Sequence, residues 1–267
     1  MTPFLRMTLV FVLLSFARPA LSHEFWIEAQ TYQVRPGGQI EAGLYNGQYF
    51  TGVEMAWFET RISHAGWMQG ADSGGFDSRS GDRPALKLPA PGPGLVQLLY
   101  QSTARKLTYT DWGKFENFAA SKGNGWAIAR HAERGLLRTG FSESYTRYCK
   151  ALVAVGDGAG ADRATGMEVE LVALSNPYTE PPQAGLRVEM RYKGRPLPET
   201  QIDVFEKKDD GPAESFHVIT DLAGRATVPL KPGHRYLLDS VVLREPETDG
   251  PHVWESLWAS LTFEVPR

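Results

Sequence analysis

The chain has 267 residues, one cysteine, six histidines and a formal net charge of −3. That balance gives no electrostatic case for a nucleic-acid partner. A single thiol, Cys149, rules out an internal disulfide framework.

The first element reads as a targeting signal. Arg6 lies in a short leading region, and Thr8 to Ala17 form an apolar run too short to span a bilayer. Ala20 and Ser22 are the small residues at −3 and −1 of a cut before His23. A cut after Ala20 would put Arg18 at −3, which fits poorly. The expectation is a signal peptide over 1–22 and a mature chain beginning at His23. No later segment is long and apolar enough to cross a membrane, so membrane insertion after processing is not expected. An exported chain without disulfides suits a bacterial periplasm. The remaining stretch of about 245 residues is long enough for two small domains or one large β-domain.

Next come short strands separated by turns. Alternation and β-formers predict strands at 24–29, 39–44, 53–60 and 95–102, punctuated by "RPGGQ" and "PAPGPG". The stretch from Gly70 to Asp82 reads as a polar loop. From Asp111 to Gly135 the pattern becomes helical. Asp111 and Asn124 are the expected N-caps of two short helices, with Gly123 and Gly135 as stops. "SESYTRYCKALVAVG" (Ser142–Gly156) returns to a strand, at least from Cys149 to Val155, and another is expected over 167–174.

The Pro-rich stretch from Ser175 to Gly185 marks the expected domain boundary. Beyond it, "LRVEMRY" and "QIDVFEK" alternate strictly, and six short strands are expected up to Val265. The fold class is therefore mainly β. An N-terminal β-sandwich-like domain (23–178) carries a helical insert (about 111–135), and an Ig-like or prealbumin-like sandwich (179–267) follows.

An N-terminal histidine offers an α-amine and an imidazole on one residue. The amine titrates near neutral pH, so a metal can displace its proton. A second imidazole would complete a three-nitrogen brace, a geometry suited to Cu(II) or Ni(II). His131, in "WAIARHAERGLL", is the first choice for that partner. His64, in "RISHAGW", is the second, ahead of His252, His234 and His217. Each also has an ordinary reading, as a helix-face or loop residue. Glu143, Arg147 and Lys150 form a charged set expected to tie the helical insert to the sheet by ion pairs. A binding role for Arg147 or Lys150 is the alternative. The many tryptophans, tyrosines and phenylalanines are assigned to core. Cys149 reads as a packed, inert thiol. No Walker loop, H-E-x-x-H helix or G-x-S-x-G elbow is present.

"YKGRPLPETQIDVFE" and "TDLAGRATVPLKPGHRYLLDSV" resemble prealbumin-like modules, which are usually structural. The mature chain as a whole resembles the bacterial family called domain of unknown function 4198. The resemblance rests on "HEFW" (His23–Trp26), Phe115 and Phe118 as F-x-x-F, "ESYTRYCKAL" (Glu143–Leu152) and "ASLTFEV" (Ala259–Val265). Most members open with Ala-His where this chain has Ser-His. The resemblance implies a periplasmic protein associated with nickel or cobalt uptake, with a membrane transporter as its expected partner. The expected function is a transition-metal-binding accessory protein, with His23, His131 and His64 as metal ligands and nickel or cobalt as the metal. Copper is an option on ligand chemistry. The alternative is a metal-free structural or ligand-binding β-module, and a copper histidine-brace oxidase ranks last.

Overall fold

The computed structural model describes residues 23–209, 211–248 and 250–267. The expected signal peptide lies outside the described residues. Among those residues, no helix is long and apolar enough to cross a membrane.

The chain opens with β1 (Glu24–Ala29), β2 (Gln33–Val34), β3 (Gln39–Gln48) and β4 (Thr51–Met55). Then come β5 (Ile62–Gln69), β6 (Asp72–Gly74), β7 (Leu86–Pro89), β8 (Gly94–Ser102) and β9 (Arg105–Tyr109). Two helices, α1 (Trp112–Ser121) and α2 (Trp126–Glu133), precede the long β10 (Phe141–Val155) and β11 (Val169–Ala173). The last part holds β12 (Leu186–Tyr192), β13 (Arg195–Pro196), β14 (Gln201–Lys208), β15 (Glu214–Ile219), β16 (Arg225–Val228), β17 (His234–Arg244) and β18 (Trp254–Glu264). The protein is mainly β with a small helical insertion, as its strand alternation implies.

Three sheets form three layers. The central sheet runs β15-β14-β17-β18-β10-β8-β5-β6, with β2 and β9 also paired to β10. β3 organises the first sheet, taking β1 on one edge and β4 and β7 on the other. β12 organises the third, between β11 and the pair β13 and β16.

β10 explains the layering. Successive side chains of a strand point to opposite faces. Cys149, Ala151 and Val153 pack with Ile27, Ile40 and Leu44 of the first sheet. Tyr148 and Leu152 pack with Val169, Val188 and Met190 of the third. A strand buried on both faces needs apolar residues at every position, and Ala151 to Val155 supply them.

The helices cover the part of the central sheet that the first sheet leaves bare. Phe115 and Phe118 of α1 pack with Val241, Leu243, Trp254 and Trp258. Phe118 stacks on Trp258 at 5.5 Å between ring centroids. Burying such rings contributes roughly 1.5–3 kcal/mol each. Asp111 caps α1, accepting a hydrogen bond from the Gly113 amide at 2.9 Å. The second expected cap differs. Gly125 is the N-cap of α2, and the Asn124 amide donates instead to the Val241 and Lys122 carbonyls. Asn124 therefore fixes the helix pair to β17 in place of capping a helix.

The boundary expected at 178/179 is bridged by strand pairing on both sides. β11 lies before it yet pairs with β12 after it. β10 and β18 pair in parallel from Glu143↔Trp254 to Ala151↔Thr262, joining the two halves in one sheet. Sequence alone hides this, because pairing partners more than a hundred residues apart leave no local pattern.

Candidate functional site

A cleft lies where the first sheet, the helix pair and the central sheet meet. Its larger lobe, about 340 Å³, is bordered by His23, Asn46, Tyr109, Lys114, Phe118, Glu143, Tyr145, Arg147 and Trp258, among others. A smaller lobe of about 160 Å³ continues to Phe25, Met55, Arg61, Tyr100 and Arg105. Asn46, Tyr145 and Arg147 border both lobes, so Arg147 stands at their junction.

β10 supplies the floor. Glu143, Tyr145 and Arg147 are two residues apart and share one face of the strand. The strand starts at Phe141, one residue before the expected Ser142, and these three polar residues lie in its first half.

Each charged residue of that segment has its own environment, and the expected ion-pair network is not what forms. Glu143 is buried; its carboxylate accepts from the Tyr109 hydroxyl at 2.8 Å and from the Ser256 hydroxyl. Burial pushes its pKa up from the ordinary carboxylate value, against these two donors and the charge of Arg147. Lys150 is on the opposite face. Its ammonium contacts Asp162 at 3.1 Å, the Arg163 carbonyl at 3.1 Å and Glu170 at 3.5 Å. It ties β10 to the third sheet, not to the helices.

Arg147 differs from both. Its guanidinium carbon sits 3.9 Å from the Trp258 ring centroid and 5.3 Å from that of Tyr145. The residue is 9% exposed, and among the described residues it makes no ion pair. Its Nη1 is buried with no hydrogen-bond partner among the described residues. Burial pulls its pKa below the ordinary arginine value, opposed by the more distant Asp239.

A second cleft of about 240 Å³ lies beside the first, bordered by Glu24, Tyr49, Lys122, Asp203, Phe205 and His217 among others. Lys122, just past α1, is its centre. The ammonium reaches Asp239 at 2.8 Å, Asp203 at 2.9 Å and Glu24 at 3.1 Å. Burial works against its charge, but the three carboxylates outweigh it and hold its pKa above the usual lysine range. The same burial raises Glu24 and Asp239, with Lys122 pulling the other way. This cluster joins α1 to β1, β14 and β17.

The histidines fall in separate places. His23 is exposed at the rim of the larger lobe, immediately before β1. His131 is fully buried on α2, among Trp112, Phe115, Phe141 and Trp254. Its Nδ1 accepts from the Trp254 indole at 3.0 Å, and its Nε2 faces the Leu137 carbonyl at 3.0 Å. The Trp254 donor fixes the neutral tautomer with the proton on Nε2. To bind metal, His131 would have to give up one of these bonds. His64 is exposed on β5, opposite Gln101 of β8, beside a bulge. Neither His131 nor His64 borders the lobe that His23 borders. Among the described residues, no group of three or more His, Cys, Asp and Glu side chains converges as a metal site would.

What sequence reasoning underrated was Arg147 and the aromatic residues around it. The signal was the i, i+2, i+4 spacing of Glu143, Tyr145 and Arg147, legible only once that segment is read as a strand.

Fold and site together define a mainly β protein with a cation-lined cleft walled by a helix pair. The model of the family described as Domain of unknown function (DUF4198) matches residues 20–243, and the chain belongs to that family. No curated protein matches the chain. Three of the four stretches that carry the resemblance meet at these clefts: His23 and Phe25, Phe118, and Glu143 with Tyr145 and Arg147.

Proposed function

We propose that this chain is a periplasmic accessory protein that binds a transition metal as cargo, nickel or cobalt foremost, and hands it to a membrane transporter. The observation that carries the reading is the position of His23, exposed at the rim of the larger lobe. After cleavage before His23, the α-amine and imidazole of one residue would form a two-nitrogen chelate there. Such a chelate leaves coordination positions free for ligands that travel with the metal, as a hand-over site requires. The reading does not need His131, whose ring nitrogens are both engaged. His64 remains available to an approaching metal on exposure alone.

Lys114 and Arg147 border the same lobe and oppose a bare dication by Coulomb repulsion. They favour a metal that arrives with anionic ligands. The test is calorimetric titration of Ni(II), Co(II) and Cu(II) into protein exported and processed in a bacterial periplasm, beside His23→Ala. The reading expects one-to-one binding by the processed protein and at least a tenfold loss in the variant, about 1.4 kcal/mol. Equal binding by both refutes it and leaves the metal-free ligand-binding module, which the cleft also supports.

A further inference from the structure

We propose that the junction of the two cleft lobes is a binding site for a small organic carboxylate, with Arg147 as its anchoring cation. The inference goes beyond the metal reading and does not depend on it.

The first ground is the bonding state of Arg147. Buried polar groups nearly always have partners, and an unpaired one costs about 1–3 kcal/mol, more for a charged group. Arg147 Nη1 has none among the described residues. Among the described residues, none of the nearby carboxylates forms an ion pair with it. Glu143 is held by Tyr109 and Ser256. Glu24 is held by Lys122; Asp239 gives Oδ2 to Lys122, and its Oδ1, also unpartnered among the described residues, makes no hydrogen bond to the guanidinium. A buried guanidinium that no carboxylate among the described residues pairs with is completed by an anion from outside.

The second ground is placement. Arg147 borders both lobes, so a ligand in either meets it. Trp258 and Tyr145 lie within cation–π distance of the guanidinium and restrict its motion. A restrained planar fork is preorganised for bidentate binding of a carboxylate.

The third ground is the surroundings. Lys114 at the rim of the larger lobe and Arg61 and Arg105 in the smaller one add positive charge, which draws in anions. Phe25, Met55 and Phe118 give an apolar lining for a carbon skeleton. That mixture suits an organic acid better than inorganic phosphate, which has no apolar part to bury.

The experiment uses the processed, full-length protein, stripped of metal with EDTA and then exchanged into metal-free buffer without chelator. Acetate, succinate, citrate and inorganic phosphate are titrated by calorimetry at fixed ionic strength. The inference expects saturable one-to-one binding of succinate or citrate. Arg147→Gln should weaken it at least tenfold. The double variant Arg105→Ala/Lys114→Ala, both positions exposed, should weaken it about threefold or more. A cooperative thermal transition checks that each variant is folded; if Arg147→Gln is not, the double variant decides. No binding of any carboxylate, binding of phosphate alone, or unchanged affinity in the deciding variant overturns the inference. Because metal is excluded, a failed metal titration and a failed carboxylate titration are separate results.

Discussion

Three buried side chains illustrate how environment sets the chemistry of single residues here. Glu143 has a raised pKa because burial outweighs its two donors. For an acid whose folded pKa is raised, the folded state holds the proton more tightly. Its contribution to stability therefore falls as pH rises from the ordinary carboxylate range through the folded pKa. Glu143→Gln should remove that slope and leave stability at pH 8 unchanged or higher. Glu143→Ala should cost about 1–3 kcal/mol by stranding Tyr109 and Ser256, and urea unfolding at pH 5 and pH 8 separates the two. His131 has the opposite sign. Burial, with Arg134 and Arg138 nearby, lowers its pKa, so it folds as a neutral ring. Its contribution is complete above the ordinary histidine value near 6.5 and is lost as pH falls through it toward the folded pKa. Wild type should lose more stability between pH 7 and pH 5 than His131→Gln does, as measured by thermal unfolding at each pH. A matching loss in the variant would dissociate His131 from that slope. Cys149, 1% exposed and with its pKa pushed up to about 12 by burial, should resist thiol reagents in the native protein. A disulfide reagent should modify it only under unfolding conditions.

Among the elements, the helix pair depends most on a single charged residue. Lys122 joins the end of α1 to β1, β14 and β17 through Glu24, Asp203 and Asp239. Replacing it with Met would leave three carboxylates facing one another in a buried site, and breaking such a cluster costs about 3–5 kcal/mol. Lys122→Met should therefore destabilise strongly, whereas Lys122→Met with Asp239→Asn and Glu24→Gln should recover part of the loss. Chemical denaturation of the two variants gives the comparison. The helices themselves were legible in the sequence, because Asp111, Gly123 and Gly135 are strong local punctuation; both glycines have positive φ, as helix stops do. Asn124 misled because its cap-like chemistry is used across the chain, on the Val241 carbonyl. The role of the first half of β10 was illegible for a related reason. Glu143, Tyr145 and Arg147 look like a polar surface segment, yet they face a cleft and are paired or stacked there.

At the level of the whole molecule, strands from both sides of the expected boundary pair in the central sheet. The Pro-rich stretch is a connection between paired strands: β11 before it and β12 after it are neighbours. Residues 179–267 expressed alone would lack β11 and β10, exposing an edge of β12 and an edge of β18. That fragment should fail to fold independently, and the full chain should unfold in a single calorimetric transition. Two separated transitions would restore the two-domain description. The metal question also belongs to this scale. His23 reaches the cleft because β1 is pinned by β3 and by the Lys122 cluster. Strand alternation made the β class predictable, but which histidines lie near His23 depends on packing between sheets, and no local pattern records that.

The central claim is that the amine and ring of His23 together make this cleft a metal-binding site. The measurement that tests it most directly compares Ni(II) affinity in two forms of the chain, one with its terminus confirmed by intact mass to be a free His23, the other with that His23 amine acetylated. Blocking the amine while keeping the imidazole should weaken Ni(II) binding at least tenfold. Equal affinity in the two forms would contradict the claim and reduce His23 to the residue that leads into the first strand.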